Sequence, residues 1–386
     1  MIKHQCDESG GIYIHIPFCI RKCAYCDFYS VSDLSLMPGF VRALEREMAM
    51  RAAEFPDPCD TLYLGGGTPS VMTPTHVRRL IAAARCHFDL LPEAEITIEA
   101  NPGTVSRRSL AEYRRAGVNR INFGVQSFRD DHLCFLGRIH SAQAAVQSLT
   151  WARQAGFDNM GLDLIYGLPG QSQAEWREAL GRATEFRPEH LSCYMLTYEP
   201  GTPLDRRRTD GAFQPLEEAR SGDLLDLTIG FLETHGYEQY EISNFARSEE
   251  FRSRHNQKYW AFAPYIGLGP SAHSFLPPRR FWTPRSVTEY LRAIDAGTAP
   301  TAGTETLTRE QQIMEAVYLG LRTTGGISVA TFEERFGLRF EATFGPVLAR
   351  LRKDGLIRAD ADCCALSRKG MRFLDSVTSM LVCQEF

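Results

Sequence analysis

Ile12-Tyr-Ile-His-Ile-Pro-Phe-Cys-Ile-Arg-Lys-Cys-Ala-Tyr-Cys26 joins two unlike pieces of chain. Ile12 to Ile16 is a short β-rich run, and it passes directly into Pro17-Phe-Cys and three closely spaced cysteines. The same kind of junction recurs outward along the chain. Thr61-Leu-Tyr-Leu leads into Gly65-Gly-Gly-Thr-Pro, Ile96-Thr-Ile-Glu into Glu99-Ala-Asn-Pro, Arg120-Ile-Asn-Phe-Gly into Gly124-Val-Gln-Ser, and Gly161-Leu-Asp-Leu-Ile into Tyr166-Gly-Leu-Pro-Gly. Leu191-Ser-Cys-Tyr-Met-Leu is a sixth run. Between the runs, residues 40–53, 75–87, 142–155 and 173–186 place apolar side chains at i, i+3 and i+4, the spacing of a helix with one buried face. Six strands alternating with helices argue for parallel βα units, hence an α/β fold with a partial (β/α)6 TIM-like barrel; a doubly wound sheet is the structural alternative. Such a barrel carries its site at the C-terminal strand ends. Any βα turn needs Gly and Pro for structural reasons, but five such turns on one face point to a site.

Composition bounds the function. The chain has 386 residues, 44% hydrophobic and 23% charged, which excludes disorder or a fibrous structure for the bulk. Lys plus Arg is 43 against 47 Asp plus Glu, so no excess positive charge exists to hold nucleic acid. Eleven cysteines are too few for a disulfide scaffold and cannot pair completely, and a reducing, cytoplasmic setting fits. The opening Met1-Ile-Lys-His-Gln-Cys-Asp-Glu shows no signal peptide. The uncharged run from Tyr259 to Pro278 carries four prolines plus Gly267 and Gly269, so it reads as a buried loop rather than a membrane span.

The texture changes near residue 300. Ala296-Gly-Thr-Ala-Pro-Thr-Ala-Gly-Thr is linker-like, residues 309–321, 329–336 and 344–353 are helix-like, and 356–367 read as two strands around a polar turn. Three helices and a hairpin outline a winged-helix-like α+β domain. Residues 305–386 carry 11 basic and 11 acidic residues, so packing suits this domain better than DNA binding.

Cys19, Cys23 and Cys26 form Cys-x3-Cys-x2-Cys; at this composition the number of such triplets expected by chance is ~0.009. Cys59, Cys86, Cys134 and Cys193 read instead as scattered core cysteines. Three thiolates in eight residues suit either an iron–sulfur cluster or zinc, with His15 the nearest fourth zinc ligand. Gly65 to Gly67 let backbone approach a ligand, and Ser70 stands where a dinucleotide fingerprint would have its third glycine. Glu99 and Asp163, at strand ends, can accept hydrogen bonds from ribose hydroxyls or an ammonium group, or cap a helix. Arg138 can pair with a carboxylate.

Ile14-His-Ile-Pro-Phe-Cys-Ile-Arg-Lys-Cys-Ala-Tyr-Cys-Asp-Phe resembles the cluster motif of radical S-adenosylmethionine (radical SAM) proteins, in the coproporphyrinogen III oxidase-like family that also holds heme chaperones. The resemblance continues in order through Gly65-Gly-Gly-Thr-Pro, Ile98-Glu-Ala-Asn-Pro, Gly124-Val-Gln-Ser-Phe, Leu136-Gly-Arg, Asp163-Leu-Ile-Tyr-Gly-Leu-Pro-Gly and Gly267-Leu-Gly-Pro-Ser-Ala-His. It implies a radical SAM core over 1–240, a connecting segment over 241–300 and a HemN-type C-terminal domain over 301–386. Cys19, Cys23 and Cys26 would bind three irons of a 4Fe–4S cluster, whose fourth iron takes the amino and carboxylate groups of S-adenosylmethionine. Tyr13, Gly66 and Glu99 match positions that hold this cofactor, and His273 lies in a segment that approaches it through the backbone. Tyr25, Gly67, Thr68, Gln126, Arg138 and Asp163 match the oxidase's second S-adenosylmethionine site.

Three departures from the oxidase favour the chaperone branch. Phe28 stands where the oxidase typically has a further cysteine, only 18 residues precede Cys19, and His255-Asn-Gln-Lys-Tyr-Trp fits a motif typical of the chaperones. His255 would then ligate heme iron, with Tyr259 and Trp260 over the porphyrin; His4, His140 and Cys6 are other candidate ligands. The implied function is a heme chaperone that serves recipient hemoproteins, with S-adenosylmethionine cleaved or only bound. Its partners would be heme and a reductant such as a flavodoxin or ferredoxin, and a membrane-associated recipient is compatible with a chain that has no transmembrane segment. The alternatives are the oxygen-independent oxidase itself and a zinc-stabilised binding protein.

Overall fold

Alternation along six strands builds the molecule. The computed structural model describes residues 9–382. Strands β1 (Gly10–Ile16), β2 (Cys59–Gly66), β3 (Leu90–Ala100), β4 (Arg120–Gln126), β5 (Met160–Tyr166) and β6 (His190–Met195) pair in that order, all parallel. Ile12, Ile14, Leu62, Leu64, Ile96, Ile98, Ile121, Phe123, Leu162, Leu164 and Leu191 are almost wholly buried and form one core with the crossover helices. Those helices are Met37–Arg51, Pro74–His87, Arg107–Arg115, Ala142–Gln154 and Gln173–Glu185. Ser106, Ser141 and Ser172 accept hydrogen bonds from the first turns of the last three, which sets where each begins. The result is a partial TIM-like barrel with helices outside.

The sheet extends past the barrel at both ends. Beyond β6 lie β7 (Glu238–Gln239) and β8 (Asn244–Ala246), and beyond β1 lie β9 (Tyr265–Leu268), β10 (His273–Leu276), β11 (Arg279–Trp282) and β12 (Gly303–Thr306), giving twelve strands. The run from Tyr259 to Pro278 is therefore not a loop. It ends one helix and then supplies β9, which pairs parallel with β1, and β10, which turns back antiparallel. Gly267 permits that reversal, because a Cβ there would stand 2.1 Å from the carbonyl oxygen of His273. Cys59 and Cys193 are core cysteines as expected, whereas Cys86 and Cys134 are exposed on helices. No helix among the described residues is long and apolar enough to cross a membrane.

Helices Arg309–Leu321, Val329–Phe336 and Phe340–Lys353 pack with β13 (Ile327–Ser328), β14 (Ile357–Ala359), β15 (Cys363–Leu366) and the last helix, Leu374–Val382, around a second core. The third helix starts four residues before the sequence spacing suggests and accommodates Pro346. This domain joins the barrel through Arg322, which pairs with Glu241 at 3.7 Å and lies over the Trp260 ring at 4.6 Å.

A short helix, Arg254–Trp260, closes the N-terminal end of the barrel. Arg254 and Lys258 both pair with Asp60, at 2.8 and 2.5 Å, and Lys258 Nζ donates to the carbonyl of Ser9. His255 stacks on Tyr63 at 5.1 Å and on Tyr13 at 6.2 Å. Its Nδ1 bonds Thr61 Oγ1 at 2.8 Å and its Nε2 bonds Tyr259 Oη at 2.9 Å. The ring is 1% exposed, and burial pushes its pKa down to about 3. This corrects the sequence expectation: as folded, His255 offers no nitrogen to a heme iron, Tyr259 is its hydrogen-bond partner, and Trp260 faces the C-terminal domain. His140 is likewise buried with both ring nitrogens bonded, to Asn101 and Val125. His4 and Cys6 lie outside the described residues. His255→Ala leaves Thr61 and Tyr259 without their partner and should cost ~1–3 kcal/mol of stability in urea unfolding.

Candidate cofactor site

The loop after β1 carries the three cysteines and is held from two sides. On one side the turn after β2 reaches it: Gly67 N donates to Ile16 O at 2.9 Å, Thr68 N to Phe18 O at 2.8 Å, and Thr68 Oγ1 lies 3.3 Å from Cys19 Sγ. A Cβ at Gly67 would stand 2.8 Å from Phe18 O and 3.1 Å from Cys19 Sγ, so only glycine allows this approach. On the other side the segment after helix Asp130–Leu136 reaches it. Ala24 N donates to Leu136 O at 3.0 Å, Arg21 donates to the carbonyls of Gly137 and Arg138, and Arg138 donates to Cys23 Sγ and Tyr25 Oη, both at 3.4 Å. Gly137 ends that helix at φ 73°, the left-handed conformation that glycine adopts without cost.

The thiols of Cys19 and Cys23 are buried, and that of Cys26 is half-buried. Among the described residues no three His, Cys, Asp or Glu side chains converge on one metal ion. A cubane cluster takes one thiolate per iron. His15 is no fourth ligand: its Nε2 donates to Tyr29 O at 2.9 Å, its Nδ1 accepts from Tyr13 Oη at 3.1 Å, and burial lowers its pKa to about 4.

Below the loop, the inward-facing residues of the six strands are polar. Near the floor, Thr61, Glu95, Thr97, Arg120 and His190 are almost fully buried; nearer the mouth Tyr63, Glu99 and Asp163 are partly exposed and Tyr194 is 40% exposed. The barrel is therefore packed at one end and accessible at the other, with the accessible end under the cysteines. Glu99 accepts from Tyr63 Oη at 2.7 Å and from Gly66 N at 3.2 Å. Burial pushes its carboxyl up to about 7, and the Asp163 carboxylate adds to that against the two hydrogen bonds. Asp163 accepts from Asn122 Nδ2 at 2.7 Å, and burial raises its pKa too. Gln126 sits at a bulge in β4 with φ 66°, its Oε1 buried and unpartnered.

Tyr13, Gly66 and Glu99 thus meet on three adjacent strands. Tyr25, Arg138 and Cys23 meet on the far side of the loop, while Gly67 and Thr68 lie against Cys19. His273 stands apart: its exposed ring stacks on Trp282 at 5.9 Å, two strands from Tyr13. Tyr63, Asn122 and Tyr194 are further wall residues that motif reading does not find; strict i, i+2 alternation in each strand picks them out. Glu47 is another. Fully buried, it accepts from Gly269 N and Tyr290 Oη, each at 2.8 Å, and holds the turn between β9 and β10 beside His15. Three free thiols at the mouth, a glycine cradle and an unpartnered amide oxygen fit a cluster with an organic cofactor.

A partial barrel with a cysteine-triplet loop at its mouth defines the radical SAM class, and residues 13–183 match the family model described as Radical SAM superfamily. Residues 307–373 match the HemN C-terminal domain. The chain is 35% identical to the heme chaperone HemW of Bacillus subtilis over 93% of this chain and 95% of that one. It is 34% identical to HemW of Lactococcus lactis over 96% of both chains. It belongs to the HemW family of radical SAM proteins. The solved structure of coproporphyrinogen III oxidase (HemN) from Escherichia coli superposes with a TM-score of 0.84 at 26% identity, covering 97% of this chain and 90% of that one.

The Glu99 carboxyl titrates near neutrality, so its ionised, accepting form grows as pH rises through about 7. The affinity for S-adenosylmethionine, measured by equilibrium dialysis, should fall between pH 8 and 6 more steeply in the wild type than in Glu99→Gln.

Proposed function

We propose that the chain is a radical SAM heme chaperone, which binds heme and hands it to recipient hemoproteins and has little or no coproporphyrinogen oxidase activity. The observation that carries this reading is the 35% identity to a protein named as a heme chaperone over 93% of the chain, against 26% to the oxidase structure. Phe28 supports it, being 65% exposed where the oxidase resemblance calls for a cysteine.

In this reading Cys19, Cys23 and Cys26 each hold one iron of a 4Fe–4S cluster. The cluster, when bound, supplies an open iron for the amino and carboxylate groups of S-adenosylmethionine. The chain's own residues do the positioning. Gly66 and Gly67 bring backbone to the cofactor, Tyr13 bounds it on the β1 side, and Glu99 accepts a hydrogen bond from its ammonium or ribose. Arg138 holds the Cys23 thiol in place by donating to its Sγ at 3.4 Å. Tyr25, Gly67, Thr68, Gln126, Arg138 and Asp163 form a second polar subsite, and an electron enters from a small reductant such as a flavodoxin or ferredoxin.

Two measurements on anaerobically reconstituted protein test the assignment. Cys19→Ala, Cys23→Ala or Cys26→Ala should each abolish the four-iron content, and Cys59→Ala should keep it. The wild type should bind heme near stoichiometrically and leave coproporphyrinogen unconverted with S-adenosylmethionine and a reductant supplied. Sustained multiple-turnover decarboxylation of coproporphyrinogen would make the chain an oxidase despite Phe28.

A further inference from the structure

An electron bound for the cluster has to cross the cysteine loop from outside. The barrel lies beneath the loop, and the flanks of the loop are taken by the turn after β2 and by residues 135–138. One face is left, and it is built from the residues between the thiols. Ile20, Arg21 and Lys22, which fill the interval from Cys19 to Cys23, are all exposed, as are Asp27 and Phe28 just after Cys26.

One edge of this face is apolar. Of the eight large apolar side chains exposed among the described residues, Ile20, Phe28 and Leu34 fall within one stretch of fifteen residues, at 52%, 65% and 38% exposure. Single scattered exposures need no explanation, but a cluster on one loop marks a contact surface. A depression of about 490 Å³ runs between residues 19–22 and 30–33, with Cys19 in its lining. Phe28 and Leu34 stand just beyond the two ends of the 30–33 strip. A partner side chain seated there comes up against Cys19 from outside.

The opposite edge is basic. Leu204 N donates to Ala24 O at 2.8 Å, which seats helix Pro203–Thr209 against the loop. Arg207 lies over the Phe135 ring at 5.0 Å and donates to Phe135 O, while Arg21 reaches the carbonyls of Gly137 and Arg138 from the loop side. Arg206 donates to Gly201 O. Held by carbonyls, Arg21, Arg206 and Arg207 have no carboxylate partner among the described residues, and Lys22 has none either. The carboxylates on the loop and this helix are mostly engaged: Asp27 pairs with Arg285 at 3.2 Å and Asp205 with Arg208 at 2.7 Å. Asp33 alone lacks a cation, and it caps the next turn by accepting from Ser35 N at 3.0 Å and Ser35 Oγ at 2.6 Å. Four unpaired cations against one carboxylate make a local positive field on a chain whose net charge is −4.

We infer that this face docks an acidic one-electron donor protein. The donor's carboxylates meet Arg21, Lys22, Arg206 and Arg207, and an apolar side chain at the centre of its contact surface enters the depression beside Cys19. One electron passes from the donor to the cluster, with no bond made or broken. Opposite charge steers the donor in, and a small contact lets it leave once oxidised, as a transient electron-transfer partner must. The inference rests on the radical SAM reading above, and it puts electron entry on the side of the loop away from the barrel interior where Tyr13 and Glu99 lie.

A flavodoxin and a ferredoxin, both of acidic net charge, serve as probes. Titrated anaerobically into the cluster-loaded chain by calorimetry, at least one should bind at low salt and be released at about 0.3 M salt. Lys22→Glu with Arg206→Glu should weaken that binding roughly tenfold or more and flatten its salt dependence. Phe28→Ser should weaken it and keep the salt dependence. The bound donor should reduce these variants more slowly than the wild type, whereas dithionite, which needs no docking surface, should reduce all of them fully. Should Lys22→Glu disturb cluster loading, Arg206→Glu with Phe28→Ser, both outside the interval from Cys19 to Cys26, decides. Unchanged donor affinity in normally loaded variants, or a loaded wild type that binds neither donor, would refute the docking face and leave the radical SAM reading intact. Phosphatidylglycerol vesicles that bind the wild type and not the double variant, with donor binding unaltered, would assign the face to a membrane surface and overturn the inference. A wild type that loads no cluster would overturn the radical SAM reading and this inference together.

Discussion

The structure depends on a division of faces along six parallel strands. Isoleucine, leucine, valine and phenylalanine point outward at every second position and are covered by the crossover helices. Each such side chain, fully buried, contributes ~1.5–3 kcal/mol. The outward face alone is thus enough to hold sheet to helices, which frees the inward face to be polar. In an eight-stranded barrel branched apolar side chains fill the interior. Here the inward positions hold tyrosine, threonine, glutamate, asparagine, aspartate and histidine, and the six-stranded arc gives them room.

That polar interior is stable only because its two ends are treated differently. At the floor, helix Arg254–Trp260 engages the buried groups beneath it: Thr61 Oγ1 bonds His255 Nδ1, and Glu95 accepts from the backbone N–H of His255. At the mouth, Glu99, Asp163 and Gln126 keep acceptors that the protein itself does not fully use. The cysteine loop lies over this end, tied to the turn after β2 and to the segment around Gly137. Both ties need glycine, one for close backbone approach and one for positive φ. The loop's position is therefore fixed by backbone contacts that do not depend on the thiols, which are left available to metal.

Much of this was legible in the sequence. All six barrel strands overlap the β-rich runs, with β3 starting six residues before its run, and the cysteine triplet stands out on counting alone. The candidate residues Tyr13, Gly66, Glu99, Arg138 and Asp163 are singled out by the motif order that the family resemblance supplies. Other features were hidden for physical reasons. Residues 259–278 look like a loop because prolines and glycines break helices, yet Gly267 and Gly269 sit at a strand reversal where glycine is required. Helix Glu218–Thr234 is hidden because its apolar residues cover much of its surface instead of one stripe. The role of His255 could not be read, because a histidine in a motif looks the same whether it faces a ligand or stacks between Tyr13 and Tyr63. Glu47 gave no signal, since its three partners come from residues 51, 269 and 290.

The central claim is that the mouth of this barrel holds a cluster with one iron left for an organic ligand. Mössbauer spectroscopy of the chain reconstituted with iron-57 and sulfide, with and without S-adenosylmethionine, tests it most directly. The account predicts about four irons per chain, three with unchanged parameters and one whose isomer shift moves when the cofactor is added. Four irons that ignore the cofactor, or a chain that takes up one zinc and no cluster, would contradict it.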